Sequence, residues 1–383
     1  MSAPLSVVYC LDAEGPLTEY PHDTVMRLMR EHGLDRRIAG EPAAILAAVQ
    51  AGVYGPALAD VAAPHRLAFL NTWEQVTAML ADLTSDLTRK EYADSDGNPL
   101  RISWFVIDLI GYRSNPRQRA QGQHAVWNHV APFFGSLDGV GWHVHTLTPD
   151  RDPLAYGTSW PPVVHEHEAA LCHRLLDQHH FPASFRAGGA IERNDLSHWL
   201  ERFIPFDYSC LPGASTHGMD WPAREPYHPH HDDYRRPGAM YRRIFPCHDA
   251  DSWASRVTAI PEGNHLAFAT HDRTPVRPQL DRIVQLLNAS GRPWKWQTAS
   301  KAWTSPRPIL SFDDPERLTL KEDTSFGDVR GEPFVAVDDG TRVYRVNARP
   351  EKPGTWRIDR PASVRRLGAA ITTRAGHTGL AFA

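Results

Sequence analysis

This chain of 383 residues has only four cysteines, Cys10, Cys172, Cys210 and Cys247. They are scattered and form no C-x-x-C pair, which excludes a zinc ribbon and offers no disulfide framework. Long apolar runs are missing too: none approaches the about 20 residues that cross a bilayer. Acidic and basic residues nearly balance, 45 to 41. The formal net charge is −4 and no basic stripe marks a nucleic-acid surface. Residues 1–10 enter an apolar segment without a charged leader, so the expectation is a soluble, cytoplasmic protein with neither membrane nor nucleic-acid partner. No P-loop, G-x-G-x-x-G or G-x-S-x-G spacing occurs, which leaves nucleotide binding and a serine-hydrolase elbow without support.

What is present begins at the first apolar run. Leu5–Cys10 reads as a buried strand, and Leu11-Asp12-Ala13-Glu14-Gly15-Pro16 ends it with two carboxylates and a turn signal. In parallel α/β sheets chemistry collects at the carboxyl ends of strands. Further buried strands are expected at Ile102–Ile107, Val140–His145, Phe185–Gly189, His265–His271 and Trp294–Gln297. Between them helical spacing appears at residues 23–31, 41–50, 72–83, 121–134, 162–180, 194–203 and 280–287, with Thr72-Trp73-Glu74-Gln75 spaced as a capping box. Strands alternating with helices predict a parallel α/β barrel over residues 1–305. Residues 206–262, rich in Pro, His and Asp, read as long loops. From about residue 310 to 383 the pattern changes to a small β-rich region. It includes a hairpin turning at Asp339-Gly340 and a short strand at Thr355–Ile358.

Several polar groups fall at the expected strand ends. Residues two apart on a strand face the same way, so His143 and His145 can converge on one cation. Asp12 and Glu14 share a face by the same rule, and a carboxylate with two imidazoles makes a three-ligand site. His165-Glu166-His167 has the same spacing inside a helix, where the rings diverge. Arg186 can hold a carboxylate bidentately, or serve in a plain ion pair. His271 can act as general acid or base, or be a hydrogen-bonded structural residue. The run Pro226–Tyr234 has many histidines, but proline breaks it and it reads as an exposed or substrate-facing loop.

In this order the motifs resemble the NodB-like polysaccharide deacetylase superfamily, over roughly residues 5–303. The quoted stretches are Asp12-Ala13-Glu14-Gly15, Ser103–Val106, Gly141-Trp142-His143, Phe185-Arg186-Ala187-Gly188-Gly189, Pro205-Phe206-Asp207-Tyr208-Ser209 and Leu266–His271 with Asp272. The resemblance implies an irregular (β/α) barrel carrying a divalent metal. Asp12 is then the general base, Glu14 and His143 are metal ligands, and a backbone N–H near Tyr208 faces the oxyanion. The sequence departs from the family where Ala13 separates the two acids, and where Leu147 stands at the usual second histidine. His145 is the available substitute.

The activity implied is metal-dependent removal of an acetyl group from an N-acetylated sugar or related amide, with zinc the default metal. Glu14, His143 and His145 are its expected ligands, Asp12, His271 and Arg186 the catalytic set. Trp142, Tyr208, Tyr227 and Trp296 are the expected substrate-binding residues, although core packing explains aromatic residues as readily. Two alternatives stay open: hydrolysis of a cyclic imide or ureide on the same barrel, and a non-catalytic carbohydrate-binding protein. The partner expected is a small molecule or glycan; oligomeric state is not legible.

Overall fold

One strand near the start of the chain organises the molecule. The computed structural model describes residues 3–16, 25, 28–29, 32–35, 38–62, 72–110, 125–146, 164–188, 194–210, 225–233, 236–249, 265–300, 309–321 and 332–383. Nine strands form its large sheet: β1 (Leu5–Ala13), β2 (Ile102–Ile110), β3 (Gly139–Thr146), β4 (Ser184–Ala187), β5 (Phe206–Asp207), β6 (Arg243–Ile244), β7 (Cys247–Asp249), β8 (His265–His271) and β9 (Trp294–Gln297). The neighbours run β6-β5-β4-β3-β2-β1-β8-β7, all parallel, with β9 beside β1. Every residue of β1 except Ser6 is buried, as expected for a parallel strand covered on both faces. β1 shares one edge between two partners: Leu5–Val8 pair with β9, and Tyr9–Ala13 pair with β2.

β6 and β7 belong to one run interrupted only by Phe245 and Pro246. The Phe245 amide donates to the Asp207 carbonyl and the Cys247 amide to the Cys210 carbonyl, each at 2.7 Å. The run thus borders β5 on one side and β8 on the other. The parallel sheet curls until its two ends meet, giving a barrel-like α/β fold.

Eight α-helices are described from end to end: α1 (Pro42–Gln50), α2 (Pro56–Val61), α3 (Trp73–Thr84), α4 (Asp86–Glu91), α5 (Ala125–Val130), α6 (Val164–Gln178), α7 (Asn194–Leu200) and α8 (Arg277–Ala289). The capping box at Thr72 is present, with the Thr72 hydroxyl accepting from the Gln75 amide and the Gln75 side chain accepting from the Thr72 amide. The helix expected at 23–31 falls largely outside the described residues. The stretch expected as long loops, 206–262, holds three of the barrel's short strands. Strands of two or three residues carry no periodicity for a sequence reading to find.

Alternation along each strand sorts side chains into two layers. Leu5, Val7, Tyr9, Leu11 and Ala13 face outward and pack with α3 and α8, while Val8 and Cys10 face inward with Phe105, Ala267 and Ala269. Asp12 follows the parity of Val8 and Cys10. On β3 the outward residues are Val140, Trp142 and Val144, which leaves His143 and His145 inside.

After residue 309 two antiparallel sheets follow. Their strands are β10 (Ile309–Asp314), β11 (Arg317–Lys321), β12 (Phe334–Asp338), β13 (Val343–Val346), β14 (Ala348–Lys352), β15 (Thr355–Ile358), β16 (Arg366–Thr372) and β17 (Thr378–Phe382). The orders are β10-β11-β15-β14 and β13-β12-β16-β17. Leu310, Leu318 and Ile358 of one sheet share a core with Val335, Val337, Ala369 and Ile371 of the other. The second sheet's opposite face, through Phe334, Ala336 and Ala370, packs on Leu171, Leu175, Phe181 and Phe203 of the barrel layer. Arg366 bridges Asp177 of α6 to Asp338 of β12 across that joint.

Candidate metal centre

Strand register builds the centre before any side chain reaches out. β1 and β8 pair with Asp12 opposite His271, and β3 and β4 pair with His143 opposite Arg186. All four positions face the barrel interior at its carboxyl end. Glu14 follows one residue beyond β1, again of inward parity. Its backbone amide donates to Asp272 Oδ1 at 2.9 Å, and the Gly15 amide donates to both oxygens of the same carboxylate at 3.1 and 3.0 Å. Gly15 has φ +78°, the left-handed conformation that lets the chain turn there without strain.

Glu14 Oε1 is the hub. It lies 3.3 Å from His143 Nε2, 3.5 Å from His145 Nε2 and 3.6 Å from His271 Nε2. His143 Nε2 and His145 Nε2 are 3.1 Å apart. His143 Nδ1 lies 2.9 Å from the Arg186 carbonyl. A carbonyl only accepts, so Nδ1 carries the proton and donates. A neutral His143 ring then presents its Nε2 lone pair to Glu14 and His145. Three acceptors facing one another at these distances repel unless a proton or a cation sits among them. The triangle of 3.1, 3.3 and 3.5 Å also matches the edges of about 3.3 Å that tetrahedral ligand atoms have around an ion with bonds of ~2.0–2.1 Å. The donor set, two imidazoles and a carboxylate oxygen, suits a borderline divalent ion, zinc among them.

Asp12, Glu14 and His271 form a second group of converging donors. It is poorer in free oxygen, because Arg186 Nε donates to Asp12 Oδ2 at 2.7 Å. Asp12 Oδ1, by contrast, is buried and has no hydrogen-bond partner among the described residues. An unfilled carboxylate oxygen beside the cation triangle is placed to accept a proton. Arg186 is itself fixed by the Tyr208 carbonyl at 2.9 Å.

Charge is balanced by pairs. Burial raises the Asp12 carboxyl's pKa, but Arg186, His143 and His271 outweigh it and hold the group below its ordinary value. Burial opposes Glu14 likewise, and Arg273 with the two imidazoles holds it well below. Burial works against a charged His143, yet the Asp12 and Glu14 carboxylates raise its pKa. Burial, then Arg273, push His271 down to about 4, so its ring is neutral at pH 7. Burial lifts Asp272 to about 7 against the opposing amides of Glu14 and Gly15.

The structure gathers Asp12, Glu14, His143, His145, Arg186 and His271 in one place. None of the four aromatic residues expected to bind substrate presents an open ring face there. Trp142 is fully buried on the outward face of β3, where its indole N–H donates to Asp108 at 2.7 Å. Trp296, on the outward face of β9, is paired with Val7 at the barrel's other end and donates to the Tyr92 carbonyl at 2.7 Å. Neither ring has a face open to a sugar. Tyr208 lies inside the barrel stacked on Phe245 at 4.8 Å. Its amide donates to the Phe185 carbonyl at 2.9 Å and is not free for an oxyanion. Tyr227 packs with Cys210, Met240 and Ile244. Three residues at the centre carry no role in the sequence reading, although Gly188 and Asp272 stand in its quoted motifs. They are Arg273, on Glu14 Oε2 at 2.9 Å, Asp272, and Gly188, over which the His145 ring lies. Asp272 and Arg273 follow His271 directly, and that adjacency was the available signal.

No family model matches the sequence, and no curated protein matches it. Among solved structures, a modular endo-β-1,4-mannanase from Cellulomonas fimi, of glycoside hydrolase family 26, aligns with 81% of this chain and 68% of its own length. The identity is 11% and the TM-score 0.22. A double mutant of a Cellulomonas fimi endo-β-1,4-mannanase aligns with 81% of this chain and 57% of its own, at 11% identity and a TM-score of 0.14. A likeness at this level carries neither fold nor activity to this chain. Among the described residues no helix is long and apolar enough to cross a membrane.

Proposed function

We propose that this chain is a cation-dependent hydrolase of a carbon–nitrogen bond outside peptides, with the acetamide of an N-acetylated sugar as its substrate class. The observation that carries the reading is the cluster at Glu14. Its Oε1 and two imidazole nitrogens form a cation-sized triangle, and a buried carboxylate oxygen of Asp12 lies open beside it. Glu14, His143 and His145 would hold the ion. A divalent cation bound there supplies Lewis-acid polarisation of a carbonyl and makes water more acidic.

The chain's own residues do the rest. Asp12, ionised and oriented by Arg186, accepts a proton through Oδ1 from the attacking water. The water oxygen bonds to the carbonyl carbon, and the C–N bond breaks. His271 Nε2 lies 3.7 Å from Asp12 Oδ2. Neutral at rest, it takes the second proton of the added water and passes it to the leaving nitrogen, while Asp12 releases the first to solvent. The products are acetate and an amine.

Two measurements test the reading together. Metal analysis of the purified protein is expected to give one divalent ion per chain. A panel of N-acetylated sugars and oligosaccharides is expected to release acetate, while cyclic imides and ureides stay intact. Turnover of the imides alone would replace the substrate class. Glycan binding by a protein with no affinity for divalent ions would replace the enzyme with a binding module.

A further inference from the structure

We propose that Arg273 holds Glu14 as a one-oxygen donor and so sets which divalent cation the centre selects; this rests on the cation-dependent reading above. The two oxygens of Glu14 have separate surroundings. Oε1 faces three imidazole nitrogens at 3.3, 3.5 and 3.6 Å. Oε2 accepts from Arg273 Nη1 at 2.9 Å. The Glu14 side chain is 2% exposed and that of Arg273 27%, so the guanidinium reaches inward from the rim of the centre. Asp272 grips the same residue through its backbone amide and that of Gly15. Between them Asp272 and Arg273, consecutive in sequence, fix where Glu14 sits and which oxygen it offers.

The consequence concerns ion size and coordination. One carboxylate oxygen with two imidazoles suits a small four-coordinate ion such as zinc. A carboxylate free to close on the ion with both oxygens suits larger, oxygen-preferring ions such as manganese or calcium. Arg273 disfavours the second mode by setting its positive charge and a hydrogen bond on Oε2. It touches neither substrate nor the reacting atoms and is a positioning residue.

Calorimetric titration of metal-free protein with zinc and with manganese tests this without turnover. Wild type is expected to prefer zinc. In Arg273→Ala the preference is expected to fall by about tenfold, and a fall smaller than about threefold overturns the proposal while leaving the cation-dependent reading intact. Wild-type protein that binds neither ion overturns both. Should circular dichroism show Arg273→Ala misfolded, Arg273→Met is titrated against the same thresholds, since it keeps the length of the side chain and donates nothing to Oε2.

Discussion

Gly188 lies so close to the imidazole of His145 that a Cβ at position 188 would stand 2.6 Å from two ring carbons. His145 therefore reaches Glu14 only because position 188 has no side chain. Its ring is 29% exposed. Gly188→Ala is expected to lower divalent-ion affinity by about 10–100-fold, with little change in thermal stability. Calorimetry and thermal unfolding on the same samples check it; unchanged affinity would remove His145 from the ligand set.

Asp12 and His143 separate chemistry from ion binding. Asp12→Asn is expected to retain the ion and lose about 10²–10⁴ in kcat. His143→Ala is expected to lose the ion. Metal content beside steady-state kinetics distinguishes the two, and full turnover in Asp12→Asn rejects it as the base.

Trp142 serves the core and not the substrate. Trp142→Phe removes the indole donor to Asp108, whose carboxylate keeps Arg174 at 2.9 Å. The expected cost is about 1–3 kcal/mol in chemical denaturation, with KM unchanged. A raised KM at unaltered stability would return the ring to the substrate.

His265 gives acid sensitivity of known sign. Burial first, then Arg243, lower its pKa from 6.5 to about 3. Between those values the unfolded chain binds a proton that the folded chain refuses, so stability falls as pH drops from 6.5 toward 3 and is level in this respect above 6.5. His265→Leu is expected to show a shallower loss of denaturation midpoint from pH 7 to pH 4. Equal slopes in the two proteins would assign the effect elsewhere.

Inward parity was readable at Asp12, Glu14, His143, His145, Arg186 and His271 because apolar runs mark their strands and period two marks the face. The same parity excludes Trp142, which neighbours His143 and must face the other way; the expectation for that residue overlooked its own rule. Trp296 failed differently, since only the β9–β1 register shows that it lies level with Val7. Gly188 acts through a contact with His145 on the neighbouring strand, which no local pattern reports, whereas adjacency to His271 pointed at Arg273 without naming Glu14 as its partner. β10 and β11 were hidden because charged residues at Asp313, Asp314 and Arg317 sit on a mostly exposed edge and erase the alternation.

The divided edge of β1 bears on how the chain is made. Its partners β8 and β9 lie at residues 265–271 and 294–297, so this apolar segment leaves the ribosome long before two of the three strands that cover it exist. Non-local parallel pairing of this kind is slow and exposes sticky surface while it waits. Productive assembly is thus postponed until synthesis has passed residue 297, and truncated products ending earlier are expected to require a chaperone or to aggregate.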